Sequence, residues 1–282
     1  MPYTTTDDVQ IWYETIGSPE DEAIVLIAGG GAQLIAWQDP FCHSLVEAGY
    51  RVVRFDNRDT GLSQRFGGPE DLDGGYEMDD LALDVIRVLD TEGIAAAHMV
   101  GHSMGGIVAQ YLALDHPSRV LSATLASTIP GHDPAWVVTP GVPEIFTRPQ
   151  ERRSREEVVE LSVAVQAHYA GSAYPFDADT ARQLAGLAYD RGYWPDGLPR
   201  QWAALARATE RLERLRGLDL PVLILHGRED RTCAWRAAVD MALAIEDSEL
   251  QVYAGMGHVL VPELWPDYVS AIVRTARRGR RA

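Results

Sequence analysis

Val100-Gly101-His102-Ser103-Met104-Gly105-Gly106 lies between an apolar run at 96–100 and a second run at 107–114, whose apolar residues recur at helical spacing until His116-Pro117 stops them. A Gly-x-Ser-x-Gly pattern between a buried strand and a helix is a sharp turn that lifts one hydroxyl above the edge of a sheet. The serine must take up a strained backbone conformation there, and the positions two before and two after it must be small enough for strand and helix to pass closely. Both positions, Gly101 and Gly105, are glycine.

A serine hydroxyl is a weak nucleophile at neutral pH; it needs an adjacent base, and the base needs a partner that holds its tautomer. Both are found just beyond strand-like runs. The run 221–227 is followed by Arg228-Glu229-Asp230, and the run 250–253 by Ala254-Gly255-Met256-Gly257-His258. Ser103, Asp230 and His258 therefore stand in the chain order Ser, Asp, His, with Glu229 as the competitor for the acid. Of the other histidines, His98 and His226 lie in strands, His102 in the turn itself, His43 and His116 on or at the end of helices, and His132 and His168 in a helical stretch. Acyl transfer also requires donors for a developing oxyanion. The amide of Met104, directly after Ser103, is one; the other comes from the glycine loop at 29–31, which ends the apolar run 23–27.

The 282 residues suit one large α/β domain carrying an insertion, or two modest domains. Apolar residues make up 46% and charged residues 23%, which places the chain among globular proteins, and no apolar run approaches the length of a membrane span. The N-terminal residues have neither a basic nor an apolar signal region, so a cytoplasmic location is expected. A formal net charge of −16 disfavours nucleic acid as a partner, and the basic tail at 274–281 reads as a solvated, frayed helix end. All 25 basic residues are arginine, which excludes Schiff-base chemistry, a P-loop and a pyridoxal site, since each needs a lysine amine. Lysine-free, alanine-rich usage is also associated with GC-rich bacterial genomes. Cys42 and Cys233 have no ligand partners at metal-binding spacing and read as reduced structural thiols, so no metal is expected.

Along the chain, strands are expected at 9–14, 23–27, 51–55, 96–100, 120–126, 221–227 and 250–253, and helices at 37–48, 78–89, 107–114, 235–244 and 262–276. The segment Asp56-Asn57-Arg58-Asp59-Thr60-Gly61-Leu62-Ser63 reads as a structural polar turn, with Arg58 pairing a nearby carboxylate. Residues 130–215 lack strand-like runs, contain Pro-rich breaks at 130–149, and then turn helical and aromatic. The expected architecture is a mostly parallel central sheet with helices on both faces, formed by 1–129 and 216–282, with 130–215 inserted as a helical cap.

The serine turn, the segment at 56–63 and the Gly-Met-Gly-His ending at 255–258 resemble the α/β-hydrolase superfamily, and within it the bacterial esterases typified by aclacinomycin methylesterase. The resemblance implies the α/β-hydrolase fold, Ser103 as nucleophile, His258 as base, Asp230 as acid, and Gly30 with Met104 as the oxyanion pair. Two positions depart from it: Ala28 stands where many members carry histidine, and Ala234 where proline often follows the acid. The expected function is hydrolysis of a carboxylic ester through an acyl-enzyme, without metal or organic cofactor. The aromatics Trp136, Trp194 and Trp202 of the insert, with Trp37, point to a small lipophilic or aromatic ester, and the resemblance to a polyketide-like metabolite of secondary metabolism. Lactone, thioester or carbon–carbon bond hydrolysis and cofactor-free perhydrolysis are the alternatives on the same triad, and a non-catalytic ligand-binding protein is the alternative of another class. The insert is expected to set substrate choice while the core sets reactivity.

Overall fold

Ala23–Ile27 is a run of apolar residues with every side chain buried, as a strand covered on both faces requires. The computed structural model describes residues 3–4, 6–138 and 151–279, and in it this strand is β2. The elements run β1 (Tyr13–Ile16), β2 (Ala23–Ile27), α1 (Asp39–Glu47), β3 (Arg51–Phe55), α2 (Met78–Thr91), β4 (Ala97–His102), α3 (Met104–Asp115) and β5 (Val120–Ala126). The insert follows with α4 (Arg155–Tyr169), α5 (Ala178–Gly192), α6 (Gly197–Ala206) and α7 (Leu212–Leu215), and the chain closes with β6 (Val222–Gly227), α8 (Trp235–Ala244), β7 (Ser248–Tyr253) and α9 (Trp265–Gly279).

The strands form one 7-stranded sheet in the order β1-β3-β2-β4-β5-β6-β7, with β1 antiparallel to β3 and every other neighbouring pair parallel. The two-residue period of each strand sorts its side chains between two cores. Val25 and Ile27 point with Val53 and Met99 towards α2 and α3, where Val85, Leu89, Val108 and Leu112 meet them. Ile24 and Leu26 point the other way, with Val100 and Leu225, towards Phe41 and Leu45 of α1 and Tyr268 and Ile272 of α9. After β2 the chain steps outward to β3 and then returns across β2 to lay down β4. The loops that leave the carboxyl ends of β2 and β4 therefore diverge and open a crevice between them, the usual place for a ligand in a parallel sheet.

Local chemistry shifts several predicted boundaries. The first strand begins at Tyr13 rather than Val9 because the polar turn claims the preceding backbone: Gln64 N–H donates to Gln10 O at 2.8 Å and Trp12 N–H to Ser63 Oγ at 2.8 Å. Helix α1 starts at Asp39, since Leu34–Ala36 form a separate 3₁₀ turn and Pro40 fits the first helical turn. The described part of the tail keeps Arg274 and Arg277 exposed and also forms ion pairs. Arg274 pairs with Glu249 and Arg278 with Asp247, joining α9 to the edge of the sheet. Residues 280–282, with the last arginines, and residues 139–150, with most of the Pro-rich stretch, lie outside the described residues. No helix among the described residues is long and apolar enough to cross a membrane.

The polar turn at 56–63 is the base on which the insert sits. Asp56 is fully buried and accepts the amides of Leu34 at 2.8 Å and Leu62 at 3.0 Å, and Arg58 makes a two-point contact with buried Asp84 at 2.6 and 2.8 Å. From the insert, Arg191 reaches Asp56 at 3.1 Å, while Arg200 of α6, with no exposed surface, pairs with Asp59 at 2.7 Å and Asp196 at 3.1 Å. Gly197 lies so close to the turn that a Cβ there would come 2.0 Å from the Asp59 carbonyl oxygen. Ala204, Ala208 and Leu215, from the end of the insert, pack into the core on the α2–α3 side.

Removing one partner of a buried charge pair strands the other without compensation, at about 3–5 kcal/mol. Arg200→Met is expected to lower unfolding free energy by about that amount in urea denaturation. A loss below about 1 kcal/mol, the range of an exposed pair, would show that Asp59 has another counter-charge.

Candidate active site

Ser103 joins β4 to α3 with φ 55° and ψ −120°, a conformation costing about 1–3 kcal/mol for a residue with a side chain. The surroundings hold it there: Ser103 N–H donates to Ala126 O at 2.9 Å, and Thr128 Oγ1 donates to Ser103 O at 2.8 Å. The flanking glycines are sterically required. A Cβ on Gly101 would lie 2.1 Å from the Gly105 carbonyl oxygen, and one on Gly105 2.1 Å from the Ile27 carbonyl oxygen.

The three residues expected to act together are brought together. Ser103 Oγ lies 3.0 Å from His258 Nε2, and His258 Nδ1 lies 2.7 Å from Asp230 Oδ2. The other oxygen of Asp230 accepts the amides of Thr232 at 2.7 Å and Cys233 at 2.9 Å, which fixes the carboxylate plane. With Nδ1–H directed at the carboxylate, Nε2 presents its lone pair to the serine hydroxyl. Glu229 is engaged elsewhere, accepting from Ser172 Oγ of the insert at 2.7 Å.

Burial pushes the Asp230 carboxyl up, but the charge of His258, the hydrogen bond to it and the adjacent His226 outweigh that and hold it below the ordinary carboxylate value. A depressed value in the folded state contributes stability that is complete above the ordinary carboxylate range and is lost as pH falls through the depressed value. Burial lowers His226, whose Nε2–H donates to Cys233 O at 3.0 Å. Burial and the neighbouring His258 push His102 down to about 4, so it is neutral and its Nε2–H donates to the His258 carbonyl at 2.8 Å. The turn that carries the serine thus also grips the loop that carries the histidine. Asp230, Cys233 and His258 place potential ligand atoms within 4.8 Å of one another, but the first and last face each other in a hydrogen bond, and burial with the Asp230 charge keeps the Cys233 thiol well above its ordinary value.

The insert also contributes to the histidine loop. Tyr169 O and Ala170 O, at the end of α4, accept the amides of His258 at 2.8 Å and Gly257 at 3.1 Å, and Gly255 O accepts from Ser172 and Ala173. The histidine loop is therefore stapled to the insert by main chain. On the other side of Ser103, Gly30 lies beside Met104: a Cβ on Gly30 would meet Met104 Sδ at 3.7 Å and Leu198 of α6 at 3.6 Å. The amide of Gly31 donates to Gln201 Oε1 at 2.7 Å. Nothing in the sequence marks Gln201, Leu198 or the carbonyl of Tyr169, because a lone polar residue on an amphipathic helix reads as surface and a carbonyl carries no residue signature.

The four tryptophans expected to line a substrate site lie in different settings. Trp37 is buried against α1 with its ring stacked on Phe41, centroids 5.5 Å apart, and its carbonyl accepts from Arg54 at 2.6 Å. Trp136 is also buried and donates through Nε1 to Asp240 at 2.9 Å. Trp194 is partly exposed under the guanidinium groups of Arg65 and Arg152, and Trp202 is half-buried on α6 next to Gln201.

Residues 22–263 match the family model described as the alpha/beta hydrolase fold. The chain belongs to the α/β-hydrolase family. It is 31% identical over 275 residues to the rhodomycin D methylesterase of Streptomyces peucetius, covering 91% of each chain. It is 29% identical over 268 residues to a non-heme haloperoxidase of Rhodococcus erythropolis, covering 92% of this chain and 93% of that one. Among solved structures, the enol-lactonase of Burkholderia xenovorans superposes with a TM-score of 0.78 at 22% identity, covering 98% and 100% of the two chains, which shows the shared fold. The chain is an enzyme of this family, with esterases and other hydrolases among its relatives.

Asp230 and Glu229 are separable by substitution. Asp230→Asn presents an amide where Nδ1–H must be accepted and is expected to lower kcat/KM by about 10⁴-fold, whereas Glu229→Gln should leave it within about threefold. Steady-state kinetics on both variants check this, and a large loss confined to Glu229→Gln would reverse the assignment.

Proposed function

We propose that the protein is a serine ester hydrolase working through an acyl-enzyme. The observation that carries this reading is the unbroken run of hydrogen bonds from Ser103 Oγ through His258 to Asp230. His258 Nε2 takes the hydroxyl proton as Ser103 Oγ attacks the ester carbonyl carbon. Asp230 holds Nδ1–H and stabilises the imidazolium that forms. The carbonyl oxygen, now an oxyanion, turns to the amides of Met104 and Gly30; Gly30 rather than Gly31 is the loop donor, because Gln201 already occupies the Gly31 amide. Collapse expels the alcohol with the proton returned by His258. Water, activated by the same imidazole, then attacks the acyl carbon and restores Ser103.

The substrate class is a small lipophilic or aromatic ester, and more narrowly a methyl ester of a polyketide-like metabolite. Similarity along 91% of the chain to a protein named for rhodomycin D methylesterase activity supports this choice, as does the aromatic character of the insert. The similarity to non-heme haloperoxidases favours one second reading, in which hydrogen peroxide takes the place of water, attacks the acyl-enzyme and leaves as a peracid.

Ser103→Ala is expected to reduce turnover of p-nitrophenyl and methyl esters by about 10⁴- to 10⁶-fold, and a fluorophosphonate probe should label the wild type at Ser103 and leave the variant unlabelled. Residual activity within tenfold of wild type would remove Ser103 from the mechanism. Because the base must be neutral to accept a proton, kcat/KM should rise with pH through a single ionisation and be abolished by His258→Ala. A flat profile in an enzyme limited by chemistry would remove His258. Peracid formation from acetate esters and peroxide, measured beside hydrolysis, distinguishes the second reading.

A further inference from the structure

We propose that Gln201 is a positioning residue for the oxyanion loop: a side chain of the insert that sets the place of a main-chain donor in the core. The inference rests on the hydrolase reading above. Gln201 is buried, and its amide has a defined orientation. The Gly31 amide can only donate and the Arg58 carbonyl can only accept, so Oε1 must face Gly31, at 2.7 Å, and Nε2 must face Arg58 O, at 2.7 Å. The second Nε2 hydrogen is taken by Thr60 Oγ1 at 2.8 Å. One buried amide therefore bridges the oxyanion loop and the turn at 56–63.

The loop needs such a tie. It leaves β2 as Ala28-Gly29-Gly30-Gly31, with no side chain beyond a methyl, and Gly31 has φ 70°. At its start, Asn57 Nδ2 donates to Ala28 O at 3.1 Å, and beyond its end Asp56 accepts from Leu34 N–H. Between those points Ala32 N–H closes a turn on Gly29 O at 3.1 Å, and Gln33 is tied through its side chain to Ala188 O and Gly192 O; within the turn itself, the Gly31 amide is held by the side chain of Gln201. Gln201 is itself held, since its neighbour Arg200 is locked to Asp59 and Asp196. Without the bond, the turn closed by Ala32 N–H on Gly29 O loses its tie to the insert, and the backbone at Gly30 shifts as the 30–31 peptide reorients, while Ser103, His258 and Asp230 stay in place. An amide displaced from the oxyanion costs in the transition state, where charge develops, and little in ground-state binding.

Gln201→Met keeps the length and packing of the side chain and removes both hydrogen-bonding functions. With p-nitrophenyl acetate, a substrate too small to sense the insert, the expected result is a kcat about 10- to 100-fold lower with KM within about threefold. Affinity for a phenylboronic acid, whose adduct on Ser103 is tetrahedral and fills the same hole, should fall in proportion. A folded variant with kcat and boronate affinity within about twofold of wild type, or with KM alone raised, would overturn the inference. Hydrogen exchange of the Gly31 amide in the wild-type protein supplies a measurement that needs no variant: protection is expected, and exchange at the rate of an unstructured amide would equally overturn it. A wild type that is neither labelled by fluorophosphonate nor active would overturn the hydrolase reading, and this inference with it. A labelled, active wild type beside an unimpaired Gln201→Met would overturn this inference alone.

Discussion

The site depends on a steric condition at the junction of β4 and α3, where main chain meets main chain with no room for a methyl group. Gly101 rests against the carbonyl of Gly105, and Gly105 against that of Ile27 at the end of β2. That close crossing brings the first turn of α3, with the Met104 amide and the positive end of its dipole, up beside the glycine loop. Ser103, forced into a conformation it would not choose, stands between them. Its strain is offset by the burial of α3, in which every residue from Met104 to Ala113 is buried.

Parallel topology does the rest. Because β2, β4, β6 and β7 run the same way, the glycine loop, Ser103, Asp230 and His258 all emerge at one edge of the sheet, although they are scattered across most of the chain. A hydrogen-bonded triad then requires only loops of the right length. Asp230 follows β6 by a tight turn, its amide donating to Gly227 O at 3.2 Å, and His258 returns after β7 through a glycine loop with Gly255 at φ 72°.

This logic explains what was legible in the sequence. Buried parallel strands are continuous apolar runs, so β2, β3 and β5 could be read to the residue, and the serine turn announced itself because its geometry admits glycine alone at two positions. The order Ser, Asp, His followed from strand ends. What escaped was whatever depends on one element docking against another. Arg200 and Gln201 are adjacent polar residues on a short helix, the pattern of a solvent face, yet both are buried because α6 lies on the 56–63 turn. A large aromatic in a loop reads equally as binding surface or as packing; Trp37 stacks on Phe41 of α1 and Trp136 bonds Asp240 of α8, contacts that the sequence does not announce. The first strand moved for a related reason, since the backbone of Gln10 and Trp12 found partners in a turn far along the chain.

The main-chain bonds from Tyr169 and Ala170 to the histidine loop have a consequence for attempts to redesign this enzyme. In a modular scaffold, a new substrate range could be imported by cutting out the stretch between β5 and β6 and splicing in the equivalent piece of a relative. Here such a graft would sever the supports of His258 as well as the ion pairs under α6, and the donor piece would arrive with contacts shaped for a different turn and a different histidine loop. A transferable unit would have to include residues 56–63 and 254–258 along with the insert. The unit that joins the insert to the histidine loop is therefore discontinuous in the gene, even though it is contiguous in space.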